Sequence, residues 1–507
     1  MNSVNHAEAN NCISQVRKFY TNKRILLTGC TGFLGTIILE KLLRTCTGID
    51  KIYLIVRGNA TRSVEERMNK YFKDIVFDNL RETNPNFMEK VVLVEGDISE
   101  PGFGISPENR RLLTENVDII IHNAGVIHFN KVEDTLKTNV WGTKRMLELA
   151  AECSHLKIFI YVSTAYSHCY LKNIEEKFYE PPGDLKMVND ILEANKASQT
   201  GIADAALEDI LGKWPNVYTF SKSIAESLVE NAGKTAPFAC IVFRPSIVIT
   251  TMKEPIKSWL RNIGIVEHAL MGIMFGILRV NCVKRDTCLD VVPADMVANA
   301  LLTLIWYSAE HRKSKGAEVY NYCSSVWNKL HTNTGCKQLI SATEKYPCMK
   351  AIWYHKQFMI ENWYVFIIFH LLLHGIPAVV GDLVLLACGK KPRATKIFVA
   401  VTRNLGTFNY YLNSNWTIQS TKMQGLLAYM NTADQEEFPC DLGKVNWGEI
   451  IELHVLGVRQ FLLKESMDTI PAAKKKQRNI AIMHHIACTL LVLILLYSLY
   501  RICVTIL

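Results

Sequence analysis

The sequence predicts an α/β fold: a doubly wound parallel sheet, a mainly helical C-terminal part and a C-terminal transmembrane helix. Three observations carry it. Strand-like apolar runs alternate with helical patterns from Arg24 to about Ile249, which places helices on both faces of a parallel sheet. The segment from Arg24 to Gly35, RILLTGCTGFLG, passes from an apolar strand through Gly29, Gly32 and Gly35 into the helical TIILEKLLR. Near the other end, the run from Ile480 to Tyr500 has no formally charged residue and, at ~1.5 Å per residue, spans about 30 Å as a helix.

The first strand and its glycine turn have the form needed where a backbone must approach a pyrophosphate. Missing Cβ atoms leave room, and the following helix N-terminus offers N–H groups and a partial positive charge. The second strand, IYLIV (52 to 56), ends at Arg57, where a dinucleotide fold meets the adenosine ribose. Arginine there can pair with a 2′-phosphate, so the pattern predicts NADPH rather than NADH. A third strand, KVVLVEGDI, delivers Asp97 as an adenine contact or a turn residue, and a fourth, VDIIIHNAG, delivers Asn123, Ala124 and Gly125. All of these fall at carboxyl ends of strands, where open parallel sheets bind ligands.

A fifth strand, KIFIYVSTAY, brings Ser163 and Thr164 near its end, and the helical VYTFSKSIAESLVE carries Tyr218 and Lys222. Four residues apart, the two share a helix face, so an ammonium can lower the phenol pKa and hold a nicotinamide ribose. With a hydroxyl from the strand, this set can move a proton at an oxygen while hydride moves at the adjacent carbon. Asn139 is read either as an anchor for a proton-relay water or as a helix N-terminal hydrogen bond.

Composition adds a membrane. The 507 residues exceed one typical core, and 49% are hydrophobic against 21% charged. The net charge of +9 comes without zinc-finger spacing or a basic helix interleaved with aromatics, so no nucleic acid partner is expected and anionic lipid headgroups are. The 15 cysteines lack a framework of close pairs and are expected to be reduced thiols. No metal site is expected: His370 and His374 have helical spacing without a third ligand, and His484 and His485 adjoin the apolar tail.

The charged insertion NIEEKFYEPPGDL, between the Thr164 strand and the Tyr218 helix, is expected beside the substrate entrance. The apolar stretch from Tyr364 to Cys388 is long enough to cross a bilayer, but Gly375, Pro377, Gly381 and Asp382 interrupt it, so a membrane-dipping or buried hairpin fits equally. Lys474, Lys475, Lys476 and Arg478 precede the C-terminal run, which reads as a single tail anchor with the catalytic part in the cytosol and Arg501 snorkelling beyond it. The N-terminus, MNSVNHAEANNC, lacks a signal-peptide core, and the glycosylation patterns at Asn59 and Asn415 would stay bare in the cytosol.

In this order, the motifs TGCTGFLG (28 to 35), YLIVR (53 to 57), EGDI (95 to 98), HNAGVIHF (122 to 129), TNVWGT (138 to 143), YVSTAY (161 to 166), Tyr218-Thr-Phe-Ser-Lys222, FRPSIV (243 to 248), DVVPADMVANAL (290 to 301) and VYNYCSS (319 to 325) make the chain resemble the extended short-chain dehydrogenase/reductases. Within them it resembles the fatty acyl-CoA reductases, because HGIPAVVGDLVLLACGKKP (374 to 392) looks like the start of their C-terminal male-sterility domain. The resemblance implies a Rossmann-type NADPH-binding domain over 1–250, a substrate-binding lobe over 251–340, a helical male-sterility-like domain over 341–470 and a transmembrane tail anchor over 480–500.

It also implies reduction of a long- or very-long-chain acyl-CoA to the primary alcohol by two NADPH. Tyr218, Lys222 and Thr164 would be catalytic with Ser163 in reserve, and Gly29, Thr31, Gly32, Phe33, Leu34, Gly35, Arg57, Asp97, Ile98, Asn123, Ala124, Gly125 and Lys222 would hold the cofactor. Endoplasmic reticulum is the expected membrane, with peroxisomes second because no terminal Ser-Lys-Leu is present. Cys30 stands where the family has alanine or glycine, Ser258 where glycine is typical, and LMGIMFGILRV lacks the usual glycine spacing. Two alternatives stay open: a membrane-bound hydroxysteroid-type dehydrogenase, and a noncatalytic lipid-binding relative.

Overall fold

The computed structural model describes residues 13–506 apart from 59–60, 62, 130, 199–200, 285 and 312–314. The N-terminal stretch 1–12 and the Asn59 acceptor pattern lie outside the described residues.

Seven strands form one parallel sheet: β1 Arg24–Thr28, β2 Lys51–Val56, β3 Val91–Glu95, β4 Ile119–His122, β5 Ile158–Val162, β6 Ala239–Pro245 and β7 Ala317–Tyr322. Their order is β7-β6-β5-β4-β1-β2-β3, with every neighbouring pair parallel. The chain leaves β3 at one edge and returns to β4 beside β1, so the strand order reverses between β1 and β4. A crevice opens outside the carboxyl ends at such a switch point.

The strands are near-continuous apolar runs because both sheet faces are covered, and all five residues of β5 are buried. On one face Leu26, Ile120, Phe159 and Val242 form a core with Leu149, Ala225 and Val229 from the covering helices. On the other, helix α1 (Phe33–Thr45) packs with helix Ala294–Glu310, and Tyr20 donates to Leu302 O at 2.8 Å.

Two compact units result, and neither is contiguous in sequence. The first runs to Trp259 and then takes Asp290–Lys329 and Asn415–Asn446; the second holds Leu260–Leu289, Leu330–Ser414 and the chain from Trp447 onward. Inside the first unit the charged insertion is held by later residues. Asn173–Ile174 pairs with Thr417–Ile418, and Glu176 accepts from Asn321 N, Thr421 Oγ1 and Lys422 N at 3.2, 3.0 and 2.9 Å.

The second unit is mainly helical. Among the described residues two helices are long and apolar enough to cross a bilayer, Trp363–Ala387 and Met467–Thr505, and they point to membrane association. The first is continuous through a π turn, Leu371–Gly375, which accommodates Pro377 just beyond it. The expected tail lies inside a longer helix, Ile470–Ile506, whose 37 residues rise about 55 Å and include the basic cluster.

Candidate active site

The turn between β1 and α1 is packed too tightly for any residue but glycine at two points. Gly29 has φ +68°, and a Cβ there would lie 2.8 Å from the backbone of Ala124. At Gly35 a Cβ would lie 2.1 Å from Gly29 O. Gly32 is the N-cap of α1 and makes no side-chain cap bond, so the first helical N–H groups have no side chain over them. The Cys30 carbonyl accepts from Tyr71 OH at 2.7 Å and Thr36 Oγ1 at 3.2 Å, which holds the loop open, while the Cys30 side chain is buried. Thr31, Phe33 and Leu34 are half-buried on the same turn, and Phe33 stacks on Trp259 at 5.5 Å.

At the ends of β2 and β3, Arg57 and Asp97 approach to 3.8 Å on the rim of a cavity of about 370 Å³ lined also by Gly58, Glu95 and Gly96. The Arg57 side chain is 65% exposed, which leaves its guanidinium accessible. Asp97 Oδ1 accepts from Ser99 N and Oγ at 2.9 and 2.8 Å, the bonds of an Asx turn. Ile98 is buried, with its Cγ2 2.5 Å from where a Cβ on Gly142 would stand.

Beyond β4, Asn123 Nδ2 donates to Gly29 O at 3.4 Å and Ala124 N donates to Thr28 Oγ1 at 3.0 Å. Asn139, inside the π turn Leu136–Trp141, accepts from Val126 N at 2.9 Å and donates to Val126 O and Ser221 Oγ at 3.1 and 3.0 Å. It therefore ties the loop after β4 to the helix bearing Tyr218, in place of the helix N-terminal bond considered from sequence. His122 was not singled out from sequence. Fully buried, it sits 2.9 Å from Thr28 Oγ1 and 3.2 Å from Thr143 Oγ1, and burial pushes its pKa down to about 3, so it is neutral.

Thr164, Tyr218 and Lys222 come together beyond the ends of β4 and β5. Tyr218 and Lys222 lie on helix α2 (Val217–Gly233), whose N-cap Asn216 accepts from Thr219 N at 2.9 Å. Lys222 Nζ donates to Val162 O at 2.8 Å, sits 4.6 Å from the Tyr161 ring centroid, and lies 3.2 Å from where a Cβ on Gly125 would stand. Gly125 thus leaves room for the ammonium beside the loop after β4. Phe129 meets the Tyr218 ring edge-on at 6.2 Å.

Sequence reasoning expected Lys222 to lower the Tyr218 phenol, and the structure differs. Burial pushes the phenol up to about 12, and the opposing contribution is a hydrogen bond with Thr164. Lys222 is instead itself brought down to about 7 by burial, with the Glu226 charge working against that fall. Lys222 is not among the groups that shift the phenol, and its ammonium is held by a backbone carbonyl and an aromatic face.

Ser163 does not join them. Its hydroxyl donates to Glu226 Oε1 at 2.5 Å, inside a buried network in which Arg244 Nε and Nη2 donate to Glu226 at 2.9 and 2.6 Å and His168 Nε2 lies 3.2 Å from Oε2. Burial would raise the Glu226 carboxyl, but the Arg244 charge and the bonds from His168 and Arg244 outweigh it and hold Glu226 well below the usual carboxylate range. Glu226 and Arg244 were missed from sequence. A signal existed: Tyr218, Lys222 and Glu226 recur every four residues on one helix face.

Ser258 has φ +61° and is buried, with its amide donating to Thr251 O at 3.0 Å. The left-handed backbone explains why glycine suits this position.

Two family models, both described as male sterility protein, match residues 27–301 and 373–465. The chain is 33% identical to fatty acyl-CoA reductase 2 of Homo sapiens over 95% of its own length and 93% of that protein. It is 30% identical to fatty acyl-CoA reductase wat of Drosophila melanogaster, over 96% and 93%. Among solved structures, the reductase (R) domain of a nonribosomal peptide synthetase from Mycobacterium tuberculosis superposes with a TM-score of 0.59 at 20% identity, covering 87% of this chain and 92% of that one. The terminal R domain of the myxalamid pathway does so at 0.57 and 20%, covering 86% and 90%. At that identity the structures establish a shared fold.

Proposed function

The chain belongs to the fatty acyl-CoA reductase family, and we propose that it reduces a long- or very-long-chain fatty acyl-CoA to the primary alcohol and CoA with two NADPH. The kinship carries the reaction class, an oxidoreductase making fatty alcohol with a nicotinamide cofactor.

The observation that carries the roles is the convergence of Thr164, Tyr218 and Lys222 beside the Gly125 loop. The residues fit the cofactor. Gly29 and Gly35 keep the turn free of Cβ atoms, and Thr31, Gly32, Phe33 and Leu34 present the helix N-terminus to a pyrophosphate. Arg57 would pair with the 2′-phosphate, Asp97 and Ile98 would border the adenine, and Asn123, Ala124, Gly125 and Lys222 would border the nicotinamide ribose. When bound, the cofactor supplies hydride to the substrate carbonyl carbon.

The chain's own groups handle the oxygen. Thr164 and Tyr218, close enough for the threonine to lower the phenol pKa, would turn their hydroxyls toward the thioester oxygen as negative charge develops, and collapse expels CoA thiolate. In the second half Tyr218 gives its proton to the alkoxide; a phenol held up to about 12 keeps that proton at neutral pH until a stronger base forms. Lys222, held by Val162 O, would place its ammonium beside the ribose in the protonated form, a charge that its lowered pKa of about 7 makes pH-dependent.

The two apolar helices support a membrane site, for which the endoplasmic reticulum is proposed first and peroxisomes second, with the catalytic unit cytosolic and the C-terminal helix as a single-pass anchor. The test is NADPH oxidation by membranes carrying the chain, with acyl-CoAs of graded length and products identified by mass spectrometry. Fatty alcohol from wild type and none from Tyr218→Phe is expected. NADPH binding with no acyl-CoA turnover at any length would overturn the reading.

A further inference from the structure

The helix Trp363–Ala387 is inside out for a water-facing helix. Its buried residues are Phe366, His370, His374, Ala378 and Asp382, one stripe at four-residue spacing that includes three of its polar side chains. Its exposed residues are large and apolar: Tyr364 is 77% exposed, Leu383 61%, Val384 57% and Ile368 56%. A helix lying in water shows the reverse pattern.

Each buried polar group is satisfied within this unit. Asp382 accepts from Arg393 N, Ala394 N and Thr395 N at 2.7, 2.7 and 3.0 Å, capping the next helix, Ala394–Asn413. His374 accepts from Arg279 N at 2.9 Å and meets His370 at 2.8 Å, and His370 meets Thr402 Oγ1 at 2.9 Å. Internal satisfaction of this kind is what a hydrocarbon surrounding demands.

Chain connectivity decides how lipid is met. Ile360 O accepts from Val283 N at 2.9 Å just before the hairpin, and Asn413 at its end accepts from Lys284 N and donates to Cys282 O at 2.7 and 2.8 Å. Both ends are thus clasped by the same segment, 282–284. A crossing by Trp363–Ala387 would need a second apolar helix to return, and Ala394–Asn413 is not among the helices long and apolar enough to cross. The turn between the arms carries Lys390, Lys391 and Arg393, and the only acidic residue from 363 to 413 is the buried Asp382.

From these relations we infer that residues 363–413 form a monotopic hairpin that lays its apolar face into one leaflet and its basic turn on anionic headgroups, on the catalytic side of the membrane. A basic amphipathic element binds an interface through buried apolar area plus headgroup attraction. This deepens the membrane part of the reading above and does not rest on the reaction.

The test uses the full-length chain added to preformed phosphatidylcholine vesicles with or without phosphatidylserine, with a fluorescent amino acid placed at Leu383 or at Lys391. A nitroxide on the lipid acyl chain is expected to quench the probe at 383, and external iodide the probe at 391. The combined variant Lys390→Glu, Lys391→Glu, Arg393→Glu should lose the lipid quenching at 383 while acyl-CoA turnover persists. A probe at 383 untouched by the lipid nitroxide, or changed only by energy transfer between copies, would replace lipid with a protein partner. A probe at 391 reached by iodide only after vesicle lysis would mean a full crossing and would overturn the proposal.

Discussion

The Ser163 hydroxyl donates to Glu226 Oε1 at 2.5 Å, whereas the next residue, Thr164, acts on Tyr218 and lowers its phenol pKa against burial. Neighbouring hydroxyls on one strand end are thereby divided between the buried Glu226–Arg244 network and the Tyr218 phenol. Thr164→Val is expected to lower kcat by about 10²–10³-fold, the usual loss when an oxyanion donor is removed. Ser163→Ala should leave kcat within a few-fold and cost about 1–3 kcal/mol of stability, because Glu226 loses a buried donor. Steady-state kinetics beside urea unfolding separates the two; equal losses of kcat would refute the division.

The Lys222 ammonium, brought down to about 7 by burial, predicts a pH effect. If it acts as a cation, kcat/KM should fall as pH rises past its pKa, and Lys222→Arg should lack that limb whatever its residual rate. Glu226 raises the lysine pKa, so Glu226→Gln should move the limb to lower pH. Stability has its own sign. Between about 7 and 10.5 the unfolded lysine binds a proton that the folded one has released, so stability rises with pH across that window, and the advantage of Lys222→Met over wild type should shrink across it.

Gly35→Ala places a methyl 2.1 Å from Gly29 O, so backbone must shift to admit it. A loss of about 1–3 kcal/mol in stability is expected, together with weakened NADPH binding in titration calorimetry. Gly425→Ala, inside the helix Thr421–Leu426 with nothing within 4 Å of its Cβ, is the control and should stabilise by about 0.5–1 kcal/mol.

Arg57→Ala should raise the KM for NADPH by roughly 10–100-fold while leaving that for NADH nearly unchanged, the loss expected for a charged hydrogen bond of about 1.5–3 kcal/mol. Equal effects on both cofactors would remove the 2′-phosphate from its role.

Ser258→Gly should raise the unfolding free energy by about 1 kcal/mol, since the wild-type residue holds φ +61° with a Cβ present. Calorimetric melting checks it; destabilisation would show that its side chain contributes more than the strain costs.

The local signals fully legible in the sequence were those set by short-range geometry. Strand, glycine turn and helix follow from apolar runs and missing Cβ atoms, and the Tyr218–Lys222 pair follows from the helical period, so the sheet and most of the candidate site could be placed from sequence alone. No local pattern separates Ser163 from Thr164; the family resemblance ranks Thr164 first, and only the folded structure supplies a physical reason, since successive side chains near a strand end point to opposite sides and the sheet must be assembled before either side is the crevice. Burial likewise decided the Lys222 and Tyr218 pKa shifts, because desolvation depends on every element packed around them. The return of Asp290–Lys329 and Asn415–Asn446 to the nucleotide-binding unit, and the polar stripe hidden inside Trp363–Ala387, depend on contacts distant in sequence that no local pattern encodes.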